Sequence, residues 1–265
     1  MNQITNGLKV AMLPVAICLG DKAANINAVE SALQKLPTGT DIVVLPELFT
    51  TGYFDDEEKL KALAERNTEK TVDILREWAA KYNCAFVGTF LASTPPHIYN
   101  RAFFIEPCGD ETFYDKAHLF GLSSEAKILR PGVTRPPVVR FRCWNVGFAV
   151  CYDLRFPVWL RNYNYAYDIF LLPCNWPDAR SYDFEHLLIA RAIENQAPFV
   201  GANRGGRDQY GNYDGMTFAY NSKGRPVAVS NPDSPWIVAE FSLEEVEIHR
   251  RKFPVLADAD KFLLG

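Results

Sequence analysis

The segment Asp41-Ile42-Val43-Val44-Leu45-Pro46 is apolar at consecutive positions instead of alternate ones. A strand with one wet face alternates. A strand covered on both faces does not, and such strands belong to layered α/β proteins. Residues 144–150 and 167–172 also read as buried strands. The residues that end these runs are informative too. The first run meets Glu47, and 144–150 runs into Cys151-Tyr152-Asp153-Leu154-Arg155-Phe156-Pro157. In open α/β sheets, reactive groups collect at the carboxyl ends of strands. The amphipathic run 157–163, with proline in its first turn, predicts a helix. Cys151 is therefore expected at a strand-to-helix elbow, where a helix N-terminus favours thiolate over thiol.

The rest of the chain supplies the layers. Residues 8–13 read as the first strand, followed by a helix capped by Asp21 and running to about Leu36. Residues 57–82 have helical period with a break near Asn67-Thr68, Thr68 capping the second half. Residues 84–91 form a strand, and 98–106 with 111–114 a hairpin. Residues 119–134 are irregular and could fold over a cleft. Residues 138–142 pair with 144–150. A helix over 181–196 leads to a strand over 198–203. Residues 217–220, 225–229 and 236–240 read as a final meander, 243–251 as a last helix, and then a tail. Strands alternating with helices early and paired as hairpins later predict two mixed sheets face to face with helices outside, an α/β fold of four layers, α-β-β-α. No composition break, repeat or low-complexity tract marks a linker, so residues 1–265 read as a single domain.

Composition narrows the functions. With 265 residues, 48% hydrophobic and 23% charged, the chain has an ordinary globular balance. A net charge of −4 and the lack of a Lys/Arg cluster argue against a nucleic-acid partner. The six cysteines contain no C-x-x-C pair, which removes support for zinc ribbons and thioredoxin-type sites and suggests reduced thiols in a cytoplasmic protein. His97, His118, His186 and His249 have no metal-ligand spacing. The apolar stretch 8–19 is interrupted by Pro14, has no basic residue before Gly7 and lacks a cleavage signature, so it reads as a strand and not a leader. No segment is long enough to span a membrane.

Three residues bear chemistry. Glu47 follows the most apolar run, where desolvation raises a carboxylate's pKa toward that of a general base. Lys116 lies between Phe113-Tyr114-Asp115 and Ala117-His118-Leu119-Phe120. Cys151 is the third. Each alone also fits a bland role: a wetted strand-end glutamate, a salt-bridged surface lysine, a small buried thiol. Together they form a set in which the carboxylate takes the thiol proton and the ammonium stabilises thiolate and then oxyanion. A cysteine hydrolase using His118 or His186 as base competes with this reading.

The pieces Leu45-Pro46-Glu47, Tyr114-Asp115-Lys116-Ala117-His118-Leu119-Phe120, Cys151 to Pro157 and Ala190-Arg191-Ala192-Ile193-Glu194-Asn195-Gln196 resemble, in content and order, the nitrilase superfamily of carbon–nitrogen hydrolases. Leu119-Phe120 and Asn175-Trp176-Pro177 are most similar to its ω-amidases, which hydrolyse the side-chain amide of 2-oxo acids such as 2-oxoglutaramate. The resemblance implies the four-layer sandwich, Glu47 as general base, Lys116 as oxyanion stabiliser, Cys151 as nucleophile and the Tyr152 N–H as second oxyanion donor. It also implies a second glutamate before a glycine, a spacing that Glu125 and Gly132 satisfy. No metal or organic cofactor is expected, and the partners expected are a small amide and at least a second copy of the chain, through the 157–163 helix and the C-terminal segment. A carboxylate-bearing substrate calls for an arginine. Arg180 is favoured over Arg204, with Trp176 as an apolar wall, and Arg155 is assigned to the elbow's own network. Cys174 is assigned a structural role. Within the family a carbamoyl-amine hydrolase or a nitrilase stays open, as does a non-catalytic scaffold on the same fold.

Overall fold

Phe104 and Phe148 come from different sheets and meet with ring centroids 5.9 Å apart, and Phe104 also meets Phe141 at 5.6 Å. This seam is the centre of the computed structural model, which describes residues 6–260. The strands are β1 (Gly7–Met12), β2 (Ile42–Val44), β3 (Ala85–Thr94), β4 (His97–Ile105), β5 (Glu111–Asp115), β6 (Val138–Phe141), β7 (Trp144–Phe148), β8 (Ile169–Cys174), β9 (Phe199–Asn203), β10 (Gly205–Asp208), β11 (Gly211–Asp214), β12 (Phe218–Tyr220), β13 (Val229–Ser230) and β14 (Ile237–Ser242). The helices are α1 (Lys22–Leu33), α2 (Glu57–Leu63), α3 (Lys70–Tyr82), α4 (Glu125–Ile128), α5 (Ser181–Asn195) and α6 (Leu243–Lys252).

One sheet has the order β13-β14-β1-β2-β3-β4-β5 and the other β12-β9-β8-β7-β6. Both are mixed: β1, β2 and β3 run parallel, as do β7, β8 and β9, and the remaining pairs are antiparallel. The period-2 rule of strands divides the first sheet into two buried faces. Val10, Met12, Ile42, Val44, Val87 and Phe104 face the second sheet. Ala11, Val43, Phe86, Phe103 and Ile105 face the apolar stripes of α1 and α3, including Val29, Leu33, Leu75 and Trp78. On the far side of the second sheet α5 approaches closely enough that a Cβ on Gly201 would lie 2.6 Å from Leu188 and Phe184. Consecutive apolar residues in β2 are thus explained: both neighbours of every strand face are protein. The four-layer α-β-β-α arrangement follows.

Several local expectations need correction. The last strands are not one meander: β12 joins the second sheet beside β9, while β14 pairs with β1 in the first. The hairpin β10–β11, with register Gly206 to Tyr213, was not anticipated, because it is polar and lacks apolar alternation. Glu69, not Thr68, precedes α3, and it makes no side-chain cap bond. α1 ends at Leu33 in tight turns that bond Lys35 to Ala32 and Leu36 to Leu33. The helix expected from Pro157 does not form. Cys151–Arg155 is one short 3₁₀ helix and Tyr163–Tyr165 another, with turns between. Buried Asn162 explains this: its amide bonds the Tyr167 and Asn195 backbone, and Asn164 and Tyr165 have positive φ, which no α-helix admits. No helix among the described residues is long and apolar enough to cross a membrane.

The aromatic seam generates a stability prediction. Phe104→Ala should destabilise the fold by about 3–5 kcal/mol. Urea denaturation should show this as a lower midpoint at unchanged slope. A loss near zero would mean that the sheets do not depend on this contact.

Candidate active site

Parallel strands place several residues at one end of the molecule. Glu47 lies just beyond β2, Lys116 follows β5, Cys151 follows β7 and Cys174 ends β8. Because the sheets face each other, strand ends that are distant in sequence converge there. The Glu47 N–H donates to the Cys174 carbonyl at 3.3 Å, stitching one sheet to the other directly below the site.

Lys116 is the hub. Its Nζ lies 2.8 Å from Glu47 Oε1, and 2.8 and 3.0 Å from the Glu125 carboxylate oxygens. All three residues are at most 5% exposed. Asn100, buried in β4, donates to Glu47 Oε1 at 2.7 Å and reaches Glu125 Oε1 at 3.4 Å, while its carbonyl accepts from the Lys116 N–H. The loop carrying Glu125 is fixed at both ends. The Phe120 N–H donates to Glu125 Oε2 at 2.7 Å, and Gly132 N–H donates to the Lys116 carbonyl at 2.9 Å. A Cβ on Gly132 would fall 2.0 Å from the Asp115 carbonyl oxygen, so only glycine lets this loop close on the lysine.

The elbow is held by Asp153. Its carboxylate accepts from Tyr114 Oη at 3.0 Å, Val150 N at 3.1 Å and His118 N at 3.1 Å, and faces His118 Nδ1 at 2.7 Å. Arg191 of α5 donates twice to the Leu154 carbonyl. These bonds hold Cys151 at φ 42°, a left-handed conformation that a non-glycine residue keeps only when its surroundings impose it.

Electrostatics follow from burial. Desolvation, then repulsion from Glu125, pushes the Glu47 carboxyl up, with Lys116 opposing. Burial alone would lower the Lys116 ammonium, but the Glu125 and Glu47 carboxylates hold it well above its ordinary range. Burial, contact with the Cys174 thiol and the charge of Glu47 push the Cys151 thiol well up. The expectation of a helix-stabilised thiolate is therefore reversed. The shifts favour the neutral thiol, and the group beside it is a carboxyl whose own pKa is raised.

Glu47, Lys116, Glu125, Cys151, Tyr152, Trp176 and Arg180 all line one cavity of about 260 Å³. The residue profile of the carbon–nitrogen hydrolase family matches residues 9–251. The chain belongs to that family. It is 38% identical to the ω-amidase YafV of Escherichia coli K12, covering 97% of this chain and 99% of that one. It is 30% identical to a 2-oxoglutaramate amidase of Bacillus subtilis, covering 96% and 98%. The crystal structure of XC1258 from Xanthomonas campestris, a carbon–nitrogen hydrolase superfamily protein with an arsenic adduct in its active site, superposes with a TM-score of 0.91 at 31% identity over 98% of this chain and 99% of that one.

Some residues of this carbon–nitrogen hydrolase sit elsewhere than expected. Arg155 does not serve the elbow. Its guanidinium leaves it, lies 4.8 Å over the Trp176 ring, pairs with Asp183 at 2.7 Å and lines the cavity. Arg204 does not border the cavity. It is 1% exposed and held by Asp208 and by the Gly205 and Ile17 carbonyls. Cys174 is buried as expected but touches the Cys151 thiol. His118 is tied to Asp153 and stacked on Phe156 with centroids 3.7 Å apart, and exposed His186 bonds the Tyr182 carbonyl. Neither lines the cavity, so the cysteine–histidine alternative has no geometry to support it. Asn100, Tyr53 and Tyr213 are marked by no motif in the sequence, and Asn175 is marked only as part of Asn175-Trp176-Pro177. For Asn100 a signal existed: an amide inside the strand Ile98-Tyr99-Asn100-Arg101-Ala102-Phe103. Among the described residues no group of three or more His, Cys, Asp or Glu side chains is placed to hold a metal.

The raised Glu47 carboxyl sets a pH dependence. A Glu47 that serves as base can accept the Cys151 proton only when ionised, so in that role iodoacetamide labelling of Cys151 should rise along a limb centred above 4.5, the ordinary glutamate value. Glu125→Gln removes a negative neighbour and should move that limb to lower pH. Peptide mass spectrometry separates Cys151 from exposed Cys18 and Cys108. A limb that stays in place in Glu125→Gln would contradict this coupling.

Proposed function

We propose that the protein hydrolyses the side-chain amide of small 2-oxo acids, 2-oxoglutaramate foremost, releasing ammonia through a thioester on Cys151. The observation that carries this reading is the polarity of one cavity: a buried thiol beside a buried carboxylate, and the guanidinium groups of Arg155 and exposed Arg180 in the same lining. Arg180 is exposed, stacked 5.1 Å over the Phe120 ring, and makes no ion pair with a carboxylate among the described residues. Arg155 is nearby but already shared with Asp183. Such a cation suits a substrate whose far end is a carboxylate. The names of the ω-amidase and 2-oxoglutaramate amidase relatives point the same way.

The geometry suggests these steps. Glu47 removes the Cys151 proton and the thiolate attacks the amide carbon. Lys116 and the Tyr152 N–H, in the first turn of a 3₁₀ helix where amides lack an intrahelical acceptor, hold the oxyanion. Protonation of Glu47 weakens its grip on Lys116 and frees a donor for that oxyanion, while Glu125 keeps the ammonium charged and in place. Collapse of the tetrahedral intermediate expels ammonia with the proton from Glu47. Glu47 then takes a proton from water, which attacks the thioester, and returns it to the departing Cys151 sulfur. We place the reaction in the cytoplasm, where a catalytic thiol stays reduced.

Ammonia release over a panel of 2-oxoglutaramate, pentanamide, carbamoyl compounds and nitriles tests the reading. The 2-oxo amide should be the best substrate, and a preference for pentanamide would overturn it. Arg180→Leu removes a charge-assisted bond and should lower kcat/KM for 2-oxoglutaramate by about 10–100-fold, mainly through KM, with little change for pentanamide. Lys116→Met should slow turnover by about 10²–10³-fold. His118→Ala should cost far less, and the reverse ranking would favour a histidine base.

A further inference from the structure

Tyr213 faces the cavity from the hairpin β10–β11 and is 7% exposed. Its position is fixed from several sides. The Gly205 N–H at the start of the hairpin donates to the Val15 carbonyl at 2.9 Å, and the Asp214 N–H at its end donates to Asp178 Oδ1 at 2.8 Å. The phenol ring lies against the Arg204 guanidinium, 4.3 Å from the ring centroid, and Arg204 is itself clamped by Asp208 and two carbonyls. Its hydroxyl has no hydrogen-bond partner among the described residues. Tyr53, another phenol lining the cavity, is by contrast bonded to Ser124 at 2.6 Å. A rigidly held donor without a protein partner, aimed into a substrate cavity, is a donor reserved for the ligand.

Where along the substrate it acts follows from its neighbours. Cys151 marks the amide end and Arg180 the carboxylate end, and both line the same cavity as Tyr213. The hydroxyl therefore addresses the substrate between its two ends, where a 2-oxo acid amide has a single hydrogen-bonding group, the oxo oxygen. We propose that the Tyr213 hydroxyl donates a hydrogen bond to the 2-oxo group and is the residue that selects 2-oxo acid amides over amides with a methylene or an ammonium at that carbon. This rests on the 2-oxo amide reading of the site. Burial pushes the phenol up to about 12, so at neutral pH it remains a donor. An ammonium at the same carbon offers no lone pair to accept that bond and would share the cavity with the Arg180 guanidinium in place of an acceptor.

The test compares 2-oxoglutaramate with glutaramate, which keeps the amide and the carboxylate but has a methylene in place of the oxo group. Wild-type enzyme should prefer 2-oxoglutaramate. Tyr213→Phe, which keeps the ring on Arg204, should lower kcat/KM for 2-oxoglutaramate about tenfold and leave glutaramate within about twofold. Equal loss on both substrates, or an unchanged preference in Tyr213→Phe, would overturn the assignment of Tyr213 while leaving the 2-oxo amide reading standing. A wild-type enzyme that hydrolyses glutaramate as well as 2-oxoglutaramate would defeat that reading and the Tyr213 assignment with it.

Discussion

One ammonium shared by two buried carboxylates is the interaction on which the rest of this structure depends. Lys116, Glu47 and Glu125 are each nearly inaccessible to water, yet Lys116 Nζ contacts both carboxylates at 2.8 Å. Burying charges is expensive unless they are paired and hydrogen-bonded, and removing one partner of such a group typically costs about 3–5 kcal/mol. The fold meets that demand from both sides. Asn100 adds a second donor to Glu47 Oε1 and the Phe120 N–H a second donor to Glu125 Oε2, and Gly132 lets the Glu125 loop close on the lysine backbone. The two carboxylates make the cluster net negative. Burial first, then the neighbouring carboxylate charge, pushes both the Cys151 thiol and the Glu47 carboxyl up.

The second constraint is the elbow. Asp153 gathers a tyrosine, two backbone amides and a histidine around itself, and Arg191 fixes the next residue's carbonyl. The cysteine is thereby held in a backbone conformation it would not choose, with its thiol toward Glu47. The same cavity is lined by segments beyond the strand ends: the loop after β8 with Trp176 and Arg180, and the hairpin β10–β11 with Tyr213. In the proposed function, chemistry thus belongs to strand termini locked between two sheets, and substrate choice to loops that can vary without disturbing them.

Much of this was legible in the sequence because each principal residue lies just past a strand end. Glu47 after β2 and Cys151 after β7 stand where buried apolar runs end, whereas Lys116 follows the partly polar, half-buried β5 and gains meaning only as the third strand-end residue beside them. Glu125 was visible through its spacing to Gly132, and the close approach at that glycine gives the spacing a physical reason. What was not legible depends on tertiary partners. The 157–163 segment has helical spacing, but Asn162 exchanges helix bonds for those of Tyr167 and Asn195. β12 and β14 read correctly as strands, but nothing local indicates that they join different sheets. The β10–β11 hairpin has no apolar alternation to betray it, and Arg155 carries no mark that it leaves the elbow for the Trp176 ring.

The central claim is that Cys151 carries the acyl group while Glu47 and Lys116 serve it. The most direct measurement is intact-protein and peptide mass spectrometry of the enzyme quenched during turnover of 2-oxoglutaramate. The account predicts an adduct equal to the substrate less ammonia, located on Cys151, absent in Cys151→Ala and never found on the adjacent Cys174. An adduct on Cys174, or full turnover by Cys151→Ala, would contradict it.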